Sequence, residues 1–437
     1  MNQLDLLGAL LSHARAAGAD SAEAAVTGAT SVSVQRRLGR TEHLERSERR
    51  GLDLTVYVGK RSASVATTEI SAAGFAALAE RAVAMARIVP EDPFGGLAEE
   101  ARFVDAGPLE LADDTEPTTE ALIKRAAAAE DAAMAVPGIT NSEGSEAGYG
   151  RSEFLLVTSA GFAGGYARTS HSVSATALAG EGTGMQRDYD FHSTTFLADL
   201  DDPAAIGHSA GERAIRRLNP LRPATAKVPV VFDPRVAGGL LGHMAGAISG
   251  ASIARGTSFL KDALGTRIFA PGIMVYDQPR RLRGPRSKPF DAEGVPTANS
   301  TLIEDGVLTG WLLDSRSARQ LGLRTNGHSN GGSPGVTNMY LAAGVPTPAE
   351  LMADIVEGLY VTELLGMGVS GLTGDYSRGA AGFMIRNGEL AEPVAEITIA
   401  GNLKTMFAAL IPANDLRFRR ATESPTVRID GMTMAGG

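Results

Sequence analysis

Apolar residues recur along this chain with two periods, and the periods divide it into helices and strands. Leu4, Leu7, Leu11 and Ala14 form a helical stripe that ends at Gly18, and a strand is predicted over residues 22 to 34. Leu52, Leu54, Val56 and Val58 give a β pattern within 51 to 68, and the β-prone stretch after a Gly-Lys-Arg turn supplies a second hairpin-like strand. Alanine-rich helices are predicted over 71 to 88 and 115 to 136, separated by the pattern-breaking stretch VPEDPFGGLAEEARF. Residues 154 to 157, 164 to 168 and 171 to 179 read as strands of a second layer. The segment NPLRPATAK at 219 to 227 carries two prolines just before a strand at 228 to 232, which places a domain boundary there. The predicted fold is α+β with two mixed domains: residues 1–222, with helices and an antiparallel sheet, and residues 223–437, a β-rich domain with a glycine-rich helix.

That helix is the most informative stretch. Between Arg235 and Arg255 lie 19 uncharged residues, VAGGLLGHMAGAISGASIA, opened by Asp233-Pro234, an N-cap aspartate with proline at the first helical position. Val236, Leu240, Met244 and Ile248 make an apolar stripe, and Gly238, Gly242, Gly246 and Gly250 repeat at the same spacing. Each glycine costs about 1 kcal/mol of helix propensity relative to alanine, so such a column is expected where another backbone comes close. Five glycines, two serines and a histidine leave too little strongly apolar surface to favour a membrane span.

His243 is the one titratable side chain in this run. A helix-borne zinc site needs a second imidazole, and a hydrolytic one also needs a carboxylate to take the proton from the metal-bound water. Met244 follows His243, Ala247 and Ile248 stand four and five residues on, and the chain has no cysteine. Taken alone, this histidine reads as a packed core residue.

Composition fits an ordinary globular chain of 437 residues, with 43% hydrophobic and 21% charged residues. The formal charge of −9 argues against a sequence-independent grip on nucleic acid, which needs a basic face. The N-terminus lacks a basic region before its short apolar run, so no signal peptide is expected and the cytoplasm is the default location.

Other motifs have plainer readings. Gly207-His208-Ser209-Ala210-Gly211 fits the nucleophile elbow G-x-S-x-G, but Ile206, Ala210, Ala214 and Leu218 run a helical stripe through it, which puts Ser209 in mid-helix. The glycine-rich stretches at 180 to 185 and 329 to 335 lack the Lys-Ser/Thr of a phosphate loop and read as turns. Asp188 and Asp190 invite an acid–base reading, with ordinary structural roles favoured. Glu304-Asp305-Gly306 and Asn387-Gly388 are expected hairpin turns, and RRLRGPRSK at 280 to 288 a solvated basic loop.

Long blocks of the C-terminal half resemble one known family. The segment VPVVFDPRVAGGLLGHMAGAISGASIARGTSFLKDALG, then residues 289 to 323, VTNMYLAAG at 336 to 344 and residues 374 to 403, are similar to the TldD/PmbA family, specifically its PmbA (TldE) branch. The resemblance implies a two-subunit peptidase whose TldD-type subunit carries a His-Glu-x-x-x-His zinc helix and a later cysteine ligand. This sequence departs from that pattern at every ligand: Gly242 or His243 stands at the first position, and no second histidine or cysteine follows. It therefore implies a cytoplasmic, zinc-less subunit, without cofactor or catalytic residues of its own, that joins a TldD-like zinc partner, or forms a homodimer when alone. Its expected substrates are unfolded peptides, with no nucleic acid and no membrane as partners. His243, His328 and Asn338 are candidates for facing the substrate cavity. A self-sufficient metallopeptidase with a non-standard site and a non-enzymatic homodimeric peptide-binding scaffold are the alternatives.

Overall fold

The computed structural model describes residues 3–103, 107 and 109–436. Helix α1 (Gln3–Ala16) leads into strands β1 (Ser21–Arg37), β2 (Arg40–Val58) and β3 (Arg61–Thr67). Helices α2 (Phe75–Ile88) and α3 (Thr119–Met134) follow, then β4 (Ile139–Thr158), β5 (Ala163–Ala179), β6 (Gln186–Thr194) and α4 (Pro203–Arg216). The six strands form one antiparallel sheet in the order β3-β2-β1-β4-β5-β6.

Alternation along these strands decides what each face meets. Ala22, Ala24 and Val26 of β1 and Leu52, Leu54 and Val56 of β2 share a face, buried against leucines of α1 and Ala79 and Val83 of α2. On the same face, Val32, Val34 and Ala147 meet Leu122 and Ala126 of α3, and Val173, Ala175 and Ala177 meet α3 and α4. All four helices thus cover one side. The other side, which carries Glu23, Ala25 and Thr27, is left for the C-terminal half.

Two differences from the sequence reading concern this sheet. The segments at 154 to 157, 164 to 168 and 171 to 179 belong to β4 and β5 of the same sheet rather than to a second layer, with Phe154 opposite Tyr166 and Tyr149 opposite His171. Strand β2 begins at Arg40, not at Gly51, because its charged first half is held by pairing with β1: Leu44 with Val34, Arg46 with Val32, Glu48 with Thr30. The Leu38-Gly39 turn that starts it has positive φ at both residues, and both amides donate to the buried Glu130 carboxylate, at 2.7 and 3.0 Å.

The C-terminal half contains β7 (Ala226–Phe232), α5 (Pro234–Ala247), α6 (Gly250–Ala254), β8 (Val275–Asp277), β9 (Ser300–Glu304), β10 (Val307–Leu308), α7 (Ser315–Leu321) and β11 (Met339–Leu341). It continues with α8 (Pro348–Met352), β12 (Glu357–Val369), β13 (Asp375–Arg386), β14 (Glu389–Asn402), α9 (Leu403–Ala408), β15 (Ile411–Pro412), β16 (Thr422–Glu423) and β17 (Val427–Ala435). One sheet runs β10-β9-β8-β11-β16; the other runs β14-β13-β12-β7-β17-β15, and β17 also pairs with β14, so this sheet closes on itself. The chain is α+β, with the β-rich C-terminal region expected. Among the described residues no helix is long and apolar enough to cross a membrane. Asp305-Gly306 and Asn387-Gly388 turn their hairpins with positive φ throughout, as predicted.

The glycine-rich run is not one helix. Asp233 caps α5 by accepting from the Arg235 amide at 2.9 Å, but the helix stops at Ile248, whose carbonyl accepts from Leu312 while the Gly250 amide donates back to the Leu312 carbonyl. This bridge pulls Ser249 into an extended conformation and starts α6 afresh. The column of glycines also divides. A Cβ at Gly238 or Gly250 would meet backbone oxygens at 3.2 and 2.8 Å, whereas one at Gly242 or Gly246 would meet nothing within 4 Å. The expected close approach holds at the ends and leaves the middle bare.

Ser209 lies inside α4, and the glycines of its motif serve helix packing. A Cβ at Gly207 would fall 1.9 Å from the Ala129 carbonyl oxygen, and one at Gly211 would strike Val136 and the Ala133 carbonyl. Gly207→Ala should therefore cost about 3 kcal/mol in chemical denaturation by forcing α3 and α4 apart. Ser209→Ala, in the same experiment, should stay within about 0.5 kcal/mol of the parent.

Candidate functional site

The helix-free side of the first sheet faces loops of the C-terminal half across a cleft of about 1000 Å³. One wall is the sheet, where alternation brings Glu23 and Ala25 of β1, Asp53 of β2, Phe154 of β4 and Arg168 of β5 to the same surface. The other wall is built from the segment around Arg286 and Lys288 and from the loop at 330 to 337. Phe290 joins them: its ring packs edge-on against Phe162 and Tyr166, with centroids 4.9 and 5.4 Å apart.

Buried charge is concentrated here. Desolvation raises the Glu23 carboxyl to about 7, with Asp291 across the cleft adding to the effect and a hydrogen bond with Tyr57 opposing it. Desolvation likewise raises Glu293 to about 7, against hydrogen bonds from the Ser315 amide and hydroxyl. Asp291 is raised by burial too, although it accepts from the amides of Ser329, Glu293 and Val295. Lys288, 8% exposed, donates to the Ser329 carbonyl and to Asn330 Oδ1, and burial holds its ammonium below the usual range. The basic stretch at 280 to 288 is thus not the solvated loop expected. Arg281 lies over the Phe418 ring and Arg283 over Phe196, because long arginine stems bury readily against aromatic faces.

The structure does not bring the three sequence candidates together. His328, 3% exposed, places Nδ1 2.8 Å from Asn326 Oδ1 and Nε2 3.4 Å from Asp277, which in turn accepts from the Thr337 amide and hydroxyl. Asn338 is fully buried, accepting from the Arg286 amide and donating to the Gln278 carbonyl and Ser287 Oγ. Both stand behind the cleft wall and fix Thr337 and Arg286, which line it. His243 lies elsewhere, half-buried on α5, with its ring 6.0 Å from Tyr376 and nearly perpendicular to it. Burial, and secondarily the Arg378 charge, holds its imidazole below the ordinary value. Burial also pushes the Tyr376 phenol up to about 12, and its hydroxyl has no hydrogen-bond partner among the described residues.

A cationic guanidinium lies near the imidazole, and among the described residues no group of three or more histidine, aspartate or glutamate side chains is placed to hold a metal ion. The cleft residues Glu23, Arg168, Arg286 and Lys288 were missed by sequence reasoning. The available signal was a glutamate alternating with small residues on β1, which only the topology turns toward a basic loop.

An α+β chain of this architecture has solved counterparts. A protein described as a putative modulator of DNA gyrase from Bacteroides thetaiotaomicron superposes with a TM-score of 0.92 at 26% identity, covering 99% of this chain and 98% of that one. TldE from Thermococcus kodakarensis shares the fold with a TM-score of 0.84 at 19% identity, covering 99% of this chain and 100% of that one. Family models described as PmbA/TldA metallopeptidase domain 1, central domain and C-terminal domain match residues 22–86, 112–218 and 225–436. The Metalloprotease PmbA of Escherichia coli O157:H7 is 40% identical over 420 residues, 95% of this chain and 92% of that protein. The chain belongs to the PmbA/TldA metallopeptidase family and stands with its PmbA (TldE) members.

A carboxyl group raised in the folded state is stabilising while protonated, and that contribution is present below the unfolded value and lost as pH rises through the folded one. Glu23→Gln, which cannot ionise, should therefore gain on the parent by about 3 kcal/mol between pH 4.5 and pH 8. Paired denaturation curves at the two pH values check this; a pH-independent difference would contradict the burial of Glu23 as a neutral acid.

Proposed function

We propose that this chain is the zinc-less subunit of a two-subunit, TldD/TldE-type metallopeptidase that degrades or trims unfolded peptides in the cytoplasm. The zinc and the hydrolytic chemistry belong to a TldD-like partner; this chain contributes a wall of the cavity in which peptide is held. The observation that carries the reading is helix α5, where His243 faces Tyr376 and lies near Arg378, and where no second ligand or carboxylate base stands beside it among the described residues. The long cleft over the first sheet supports a role in holding extended chain, and the likeness to a protein titled TldE supports a partner of the TldD type. When expressed alone, the chain pairs with a second copy of itself.

Affinity capture of the tagged chain from its native lysate should bring down a TldD-like protein at equal stoichiometry. In that complex His243→Ala should leave the zinc content at its original value, because the imidazole is not a ligand. Capture of the chain alone, or loss of stoichiometric zinc in the variant, would count against the assignment.

A further inference from the structure

Some arginines of this protein are held in ion pairs: Arg217 and Arg235 with Asp188, Arg283 with Glu110 and Asp199, Arg428 with Asp354 and Asp430. Others are not, and among the described residues two of these stand beside Lys288 in the cleft, which Arg49 and Arg50 also line. Arg286 has an exposed guanidinium with no ion pair or hydrogen bond among the described residues; its only bond is from its backbone amide to Asn338. Arg168 donates from Nη2 to the Ser287 carbonyl, but its Nε is buried with no partner and no carboxylate pairs with it. Lys288 feels opposing charges, with Asp291 and Asp277 favouring its ammonium and the two arginines disfavouring it, and two of its three N–H donors are used. Like charges side by side are costly where the cleft is partly desolvated. A single anionic group placed beside them would offset their mutual repulsion.

We infer that Arg168, Arg286 and Lys288 form a subsite for a carboxylate carried by an extended peptide. The inference rests on the peptide-holding role proposed above and adds which chemical group the cleft selects. Guanidinium and ammonium donors together suit a carboxylate. The acidic neighbours Asp53 and Glu153 line the same cleft and favour a single negative charge over a phosphate dianion. Tyr166 and Phe154 offer aromatic surface beside the cations, where the rest of a peptide chain can lie. The carboxylate is supplied either by the C-terminus of the peptide or by an aspartate or glutamate side chain.

Four fluorescein-labelled, unstructured octapeptides separate the possibilities when titrated against the purified full-length chain: one without acidic residues and with a free C-terminus, its amidated form, an amidated form with a central glutamate, and the same with glutamine. The subsite predicts that at least one carboxylate-bearing peptide binds tenfold or more tighter than both neutral ones, and which one it is identifies the source. Arg286→Gln, at an exposed position, should reduce the preference for the carboxylate-bearing peptide tenfold or more. Equal binding of all four, or a preference that survives Arg286→Gln, would overturn the subsite and leave the peptide-holding role standing. Binding of none would overturn both. A phosphoserine peptide bound tenfold tighter than the glutamate peptide would overturn the preference for a single charge.

Discussion

Asp188 holds the two halves of the molecule in register. It sits on β6 with its side chain 3% exposed, 2.7 Å from Nη1 of Arg235 in the first turn of α5 and 3.5 Å from Arg217 at the end of α4; Arg217 also reaches Glu363 on β12. A buried carboxylate between two guanidinium groups offsets its own desolvation, and removing such a partner typically costs about 3–5 kcal/mol because the remaining charges stay buried. Neighbouring contacts on β6 join in, Asp190 with Arg213 and Arg419 and Arg420 over Phe191, while at the other end of the sheet Arg319 donates to the carbonyls of Phe94 and Gly96. The cleft has one wall on each half, so its width is set by this seam.

The same seam fixes α5. Arg235 ties its start to β6, Asp233 caps it and accepts from the Tyr360 hydroxyl, and the Ser249–Leu312 bridge ends it. A helix held firmly at both ends, with open space over Gly242 and Gly246 in its middle, presents a fixed surface. Rigidity suits a wall. His243 lies against an aromatic ring and near a guanidinium.

Much of the fold was legible because local signals were strong. Asp233-Pro234 announced α5, and the stripe through Ile206 and Ala210 overruled the serine-hydrolase motif, since a helix leaves no sharp turn for a nucleophile. The charged half of β2 was illegible, because its strand character comes from β1 and from the Glu130 turn cap rather than from its own residues. The break at Ser249 was illegible for the same reason, being imposed by Leu312, 63 residues on in sequence. The cleft was the hardest part. Glu23 and Lys288 are separated by most of the chain, and neither is unusual until the sheet face and the basic loop are opposed. His328 came from the glycine-rich loop and Asn338 from the VTNMY block, and their side chains turn inward and brace residues that line the cleft.

The central claim is that hydrolytic chemistry is absent from this chain and supplied by another. Elemental analysis of the purified, untagged chain, after mild treatment to strip loosely held ions, tests it most directly. The account predicts zinc and other transition metals near zero per chain. About one tightly held zinc per chain would contradict it and would mean a self-sufficient peptidase with ligands drawn from distant segments.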